Sequence, residues 1–77
     1  EDPGVWYRLA EVQGLAGDII GLHQSRAEYF ILVGALDAAQ NQLSYALKLV
    51  NNNFTQSATI NERLRDVMDL REELENS

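Results

Sequence analysis

Seventy-seven residues make one domain at most, and a chain of this size buries only about 60% of the surface its unfolded form exposes, so its core needs help. The absence of cysteine and the single histidine exclude disulfides, thiolate metal sites and the common histidine-rich metal constellations, which leaves association as the remaining help. The net charge of −6, with Arg63, Arg65 and Arg71 interleaved among Glu and Asp, argues against nucleic acid and against an anionic membrane surface as partners.

The first element opens at Asp2-Pro3, an N-cap followed by proline at the first helical position, where its missing N–H costs nothing. Val5, Leu9, Val12, Ala16, Ile19 and Ile20 then fit one helix face. Gly14, Gly17 and Gly21 each cost such a helix about 1 kcal/mol relative to alanine. Near Gly21 two readings are open. In one, Gly21 lies past a helix end and Ser25-Arg26-Ala27-Glu28 restarts the chain with capping-box spacing; helices of roughly 3–20, 26–50 and 59–75 then close a three-helix bundle. In the other, a single helix runs from Pro3 to about Val50, about 70 Å at 1.5 Å per residue. Continuity is favoured by a seam at Val5, Val12, Leu15, Ile19, Leu22, Tyr29, Val33 and Leu36, which holds heptad register across residues 21–25. Gly21→Ala discriminates the two readings, stabilising a continuous helix and destabilising a left-handed helix end.

From Ala27 to Val50 the helix has two apolar sides. Tyr29, Val33, Leu36, Leu43, Leu47 and Val50 form one face, and Ala27, Ile31, Gly34, Ala38 and Ala39 form a second, mostly small one. A helix buried on two sides needs two partners. Gly34 and Ala38, four apart, let backbones approach closely, either inside one hairpin or at a dimer contact. Gln40 falls on the heptad seam, where a polar residue either fixes register or is simply exposed. Tyr29 to Leu36 is the longest apolar run, far below the roughly 20 residues that span a bilayer, so no direct membrane insertion of this segment is expected.

Asn51-Asn52-Asn53 ends the apolar helix, since asparagine tolerates left-handed backbone. A loop over 51–58 follows, with Phe54 packed back against the hairpin end. Thr59-Ile60-Asn61-Glu62 has capping-box spacing and opens a helix of about 59–75 with Ile60, Leu64, Val67, Leu70 or Arg71, and Leu74 in a narrow stripe. Ion pairs are expected at Glu62–Arg65, Arg65–Asp69 and Arg71–Glu75. No internal repeat or low-complexity tract is visible. Glu1 in place of Met, with no signal peptide in view, reads as a chain processed or excised from a longer one, so compartment stays open.

Catalysis finds little support. His23 is the only neutral-pH base, and Ser25, two residues on, faces elsewhere on a helix. His23 reads as an edge or exposed residue, or as a pH-sensitive contact. The carboxylates of 62–75 lack the alternation and glycine turn of a calcium loop and read as a solvated face. No metal and no cofactor are expected. Asn53-Phe54-Thr55 matches the glycosylation sequon, which matters only in a chain secreted by a eukaryote. Trp6 and Tyr7 either cap the bundle end or anchor a partner.

The expected fold is all-α: an antiparallel helical hairpin or coiled coil with a long first helix, or, if broken near Gly21, a three-helix bundle. The expected function is non-enzymatic protein–protein association, with a second copy or a related helical chain completing a bundle. Its interaction face would be Tyr29, Val33, Leu36, Leu43 and Leu47, beside Gly34 and Ala38, partly covered by Leu64, Val67 and Leu74. The alternative is an extracytoplasmic ligand-sensing bundle of a membrane receptor, with Arg8, Arg26 or His23 holding a small anion in a dimer groove. A lone adaptor that grips a partner's helix is a third reading, distinguished by being monomeric.

Overall fold

Gly17 and Gly34 set the corners of this chain. In the computed structural model, which describes residues 2–77, four helices follow one another: α1 (Pro3–Leu15), α2 (Ile19–Leu32), α3 (Leu36–Leu49) and α4 (Phe54–Glu75). Gly17 has a φ of 81° and Gly34 a φ of 80°, left-handed backbone that costs other L-residues about 1–2 kcal/mol. The same pair of hydrogen bonds closes both corners. The Gly17 N–H donates to the Gly14 carbonyl at 3.2 Å and the Asp18 N–H to Gln13 at 2.9 Å; Gly34 donates to Ile31 at 3.1 Å and Ala35 to Phe30 at 2.8 Å. This is the Schellman arrangement, which satisfies carbonyls that a helix end leaves without partners. The residue after each glycine, Asp18 or Ala35, also serves as the N-cap of the next helix.

These corners correct both expected arrangements. No helix runs unbroken from 3 to 50, and the first break is not at Gly21, which sits in the first turn of α2. Asp18 makes the difference. Its Oδ1 accepts the Gly21 N–H at 2.9 Å, so the residue following Gly17 can start a new helix at once. The heptad seam is a coincidence of register rather than one buried stripe, because Val5, Val12, Leu15, Ile19 and Val33 are exposed. Gly34 is not a close-packing residue either: nothing lies within 4 Å of the place a Cβ would occupy there.

A period that the sequence reading missed emerges from the corners. Leu15, Leu32 and Leu49 each end a helix, seventeen residues apart, and Leu15-Ala16-Gly17, Leu32-Val33-Gly34 and Leu49-Val50-Asn51 share one register. Gly4 and Gly21, and Ala10 and Ala27, recur at the same interval. Most other positions differ in chemistry, so the repeat is carried by the corners.

After α3 the chain passes through extended Val50 and left-handed Asn52, whose φ is 60°. Asn53 then caps α4, its side-chain oxygen accepting the Gln56 N–H at 3.0 Å. The helix therefore starts more than a turn before the expected Thr59. That threonine lies inside it, its hydroxyl donating to the Thr55 carbonyl at 3.0 Å. Phe54 does not pack back; it is 86% exposed.

Each helix packs antiparallel against the next, α1 on α2, α2 on α3 and α3 on α4, giving a flattened body of 40 × 29 × 16 Å. Leu36, Leu43, Ile60 and Val67 are buried together with Ala27, Ala39 and Ala46, and Ile20, Phe30, Ile31, Leu47 and Leu64 flank them. Alanines bring the helices close but remove little apolar area from water, so this core is thin. All of it comes from α2, α3, α4 and the residue just after α3. The buried residue of α1, Ala10, lies outside the cluster.

Candidate protein-contact surface

Helix α1 is anchored at its start and along one side. The Asp2 carboxylate accepts the Gly4 N–H at 2.8 Å, with Pro3 at the first helical position. On the side facing α2, the Tyr7 and Tyr29 rings meet edge-to-face at 5.7 Å. The Ser25 hydroxyl donates to Gln13 Oε1 at 2.6 Å, which satisfies the buried polar side chain of α2. Gly14 leaves room for Leu22, whose Cδ1 comes within 2.8 Å of the place a Cβ would take. The other side of α1 carries Val5, Leu9 and Val12 at the spacing of one stripe, exposed by 53%, 40% and 62%. Leu15, exposed by 92%, and Ile19 extend the apolar surface around the corner.

The expected interaction residues divide among different surroundings. Leu43 and Val67 are fully buried and Leu36 nearly so, all within the chain's own core. Leu47, Leu64, Ala38 and Tyr29 are half-buried, with Tyr29 turned to α1. Val33 and Leu74 are exposed, and Gly34 is a corner. The turn at Gly34 is the physical reason: it puts Tyr29 and Leu36 on successive antiparallel helices instead of one continuous face. Leu74 does border a shallow groove with Leu36, Ala38 and Arg71 where α4 meets the start of α3. The spacing of Val5, Leu9 and Val12 marks one helix face in the sequence, and the structure leaves that face exposed.

Polar groups knit the helices from outside. His23 Nδ1–H donates to Gln42 Oε1 at 2.7 Å, and its ring lies 5.5 Å from that of Tyr45. His23 thus turns to α3 while Ser25 turns to α1. Arg8 lies 3.8 Å from the Asp2 carboxylate, and Arg26 borders a small pocket of about 80 Å³ with Tyr7, Ala10, Glu11 and Leu22. Arg8, His23 and Arg26 therefore reach three separate places.

Arg63 spans from α4 to α2, its Nε and terminal nitrogen donating to the two Glu28 oxygens at 2.9 and 2.8 Å. Its other terminal nitrogen donates to Asp66 at 3.1 Å. The bond to Glu28 raises the guanidinium above its ordinary value; burial opposes this and Asp66 adds to it. Arg71 pairs with Asp37 at 2.8 Å and donates to Gln40, so Gln40 is occupied within the chain. Of the ion pairs expected along α4, Glu62–Arg65, Arg65–Asp69 and Arg71–Glu75, none forms among the described residues: Arg71 turns to Asp37 of α3 instead, and the pair within α4 is Arg63–Asp66. An open groove of about 280 Å³ runs between α2 and α4 over Leu43 and Ile60, rimmed by Gln24, Thr59, Glu62 and the Arg63 cluster.

Among the described residues, no group of three or more His, Cys, Asp or Glu side chains could hold a metal ion. Among the described residues, no helix is long and apolar enough to cross a membrane. No protein-family model matches the sequence, and no curated protein or solved structure matches it.

Proposed function

We propose that this chain is a non-enzymatic protein–protein association module that completes a helical bundle with a second copy or a related chain. The observation that carries the proposal is an imbalance. Fourteen large hydrophobic residues are exposed among those described, against eight buried hydrophobics, of which four are alanine. Single exposed apolar residues are ordinary on a monomer, but Val5, Leu9, Val12, Leu15 and Ile19 lie together on and beside one helix, which is how contact surfaces look. The sensor alternative asks that Arg8, Arg26 or His23 hold a small anion in a dimer groove; Arg8 lies by Asp2, Arg26 borders a small pocket and His23 is bonded to Gln42, and no specific observation favours that reading over association.

Sedimentation equilibrium at tens of micromolar, paired with thermal melts over a range of concentration, tests the proposal. The expected result is a mass above 8.7 kDa and a melting temperature that rises with concentration. A species of 8.7 kDa throughout, with a melt independent of concentration, would overturn it.

A further inference from the structure

We infer that α1 is exchanged between copies: the corner at Ala16–Asp18 opens, α1 and α2 join into one helix, and α1 of each copy packs on α2 of the other. This rests on the association reading above and specifies how a second copy joins.

Helix α1 can leave its place without emptying the core. The buried cluster comes from α2, α3 and α4, and Ala10, the buried residue of α1, lies outside it. What holds α1 is one seam with α2. Across it Tyr7 meets Tyr29, Gly14 makes room for Leu22, and Gln13 accepts from Ser25. The occupant that fits the vacated face of α2 is thus α1 itself, and a second copy carries the same helix.

The register of the seam permits the exchange. Tyr7 and Tyr29 are centred on Asp18, as are Gly14 and Leu22, while Gln13 and Ser25 are centred on Ile19. Two straight helices related by a twofold axis at residue 18 therefore bring the same residues together, Tyr7 to the partner's Tyr29 and Gly14 to the partner's Leu22. The faces agree as well. At about 100° per residue, Tyr7, Ala10, Gly14, Leu22, Ser25 and Tyr29 lie within an arc of about 120° on a helix unbroken from Pro3 to Leu32. One stripe carries both halves of the contact, on a helix about 45 Å long, and Ala16-Gly17-Asp18 contains no proline to forbid it. Leu15 gains from the opening. It is 92% exposed at the closed corner and lies at the edge of the stripe, where the partner's Leu22 comes alongside.

Asp18 works against the opening. In the closed form it caps α2, and at the twofold axis it faces the partner's Asp18, a like charge. The corner at Gly34 has no such freedom, because α2 and α3 share the core that α1 stands outside.

The test is sedimentation equilibrium of the wild-type chain beside Gly17→Ala, Gly34→Ala and Asp18→Asn, with circular dichroism to verify helix content. Gly17 has a φ of 81° and nothing within 4 Å of a Cβ, so alanine strains the closed corner and suits the open helix. The expected result is a wild-type dimer that tightens about 100-fold in Gly17→Ala, about tenfold for each of the two corners, and keeps its affinity in Gly34→Ala. Asp18→Asn keeps a cap but removes the charges that meet at the axis, and it should tighten the dimer too. The chain has no cysteine, so a Gln13→Cys/Ser25→Cys variant, oxidised where the wild type is dimeric, reads exchange directly as a covalent dimer. A dimer no tighter in Gly17→Ala than in Gly34→Ala, or a cysteine variant locked as single chains, overturns the exchange and leaves association standing. A wild-type chain that is monomeric at tens of micromolar overturns both.

Discussion

The carboxylate of Asp18 occupies the space that a side chain on Gly21 would fill. Its Oδ1 accepts the Gly21 N–H at 2.9 Å, and a Cβ there would lie 2.7 Å from Asp18 Cγ and 2.7 Å from Gln13 Nε2. Gly21 is helical, so alanine brings its usual gain of about 1 kcal/mol, but it displaces an N-cap of about the same worth and crowds the amide that holds Ser25.

Gly21→Ala is therefore expected to lower the melting temperature, although Gly21 has neither a left-handed backbone nor a place at a helix end. Gly17→Ala and Gly34→Ala should each lose about 1 kcal/mol for a different reason, their positive φ. Urea titration of the three variants in an Asp18→Ala background separates the causes. The Gly21 penalty should shrink there and the Gly17 and Gly34 penalties should persist. A stabilising Gly21→Ala in the natural background would show that the ends of the Asp18 and Gln13 side chains move aside at less cost than alanine gains.

Leu43 fixes the orientation of α3. It is 1% exposed and lies in the cluster shared by α2, α3 and α4. Leu43→Ala should cost about 2–5 kcal/mol, enough to unfold much of a domain this small. Leu74→Ala, at a position 65% exposed, should change the stability of a dilute chain by less than about 0.5 kcal/mol. Similar losses at both positions would mean that the faces of α3 and α4 are assigned wrongly.

What the sequence disclosed and what it hid follow from the range of the interactions involved. Helical character, the Asp2-Pro3 start and the interruption at the asparagines are local matters of capping and backbone freedom, readable from a few adjacent residues. The corners were harder. Gly14, Gly17 and Gly21 carry the same propensity cost, and only Gly17 is followed by a residue able to cap a new helix. Gly34 sits between apolar residues whose spacing suits a continuous helix, and Ala35 offers no capping side chain to mark the break. The mixed composition of the contact surface followed from these two misplaced ends, because every face assignment beyond a corner depends on where the helix is cut.

The Arg63–Glu28 pair ties α4 to α2 and was not readable from spacing, since its partners are 35 residues apart. Both side chains are partly exposed, so a double-mutant cycle of Arg63→Met and Glu28→Gln should give a coupling on the order of 1 kcal/mol, reduced in 1 M salt. The raised guanidinium value means that its contribution is complete below the ordinary arginine range and is lost only as pH rises through the raised value. Titration to about pH 10 should leave the coupling unchanged. A coupling near zero would reduce the pair to a surface decoration.

The start of α4 offers two rival caps, Asn53 and Thr59, and the distinction decides how long that helix is. Asn53 accepts the Gln56 N–H, satisfying one of the donors that the first turn leaves without a partner. Thr59 bonds backward to the Thr55 carbonyl, a habit of threonine inside a helix that adds nothing to its start. Asn53→Ala should cost about 1 kcal/mol. Thr59→Ala should be neutral or slightly stabilising, because alanine is the better helix former at an exposed interior position. Chemical denaturation of the two variants measures both. The reverse order, with Thr59→Ala the more damaging, would place the start of α4 at the capping box and leave Phe54 to Ala58 as the loop that the sequence suggests.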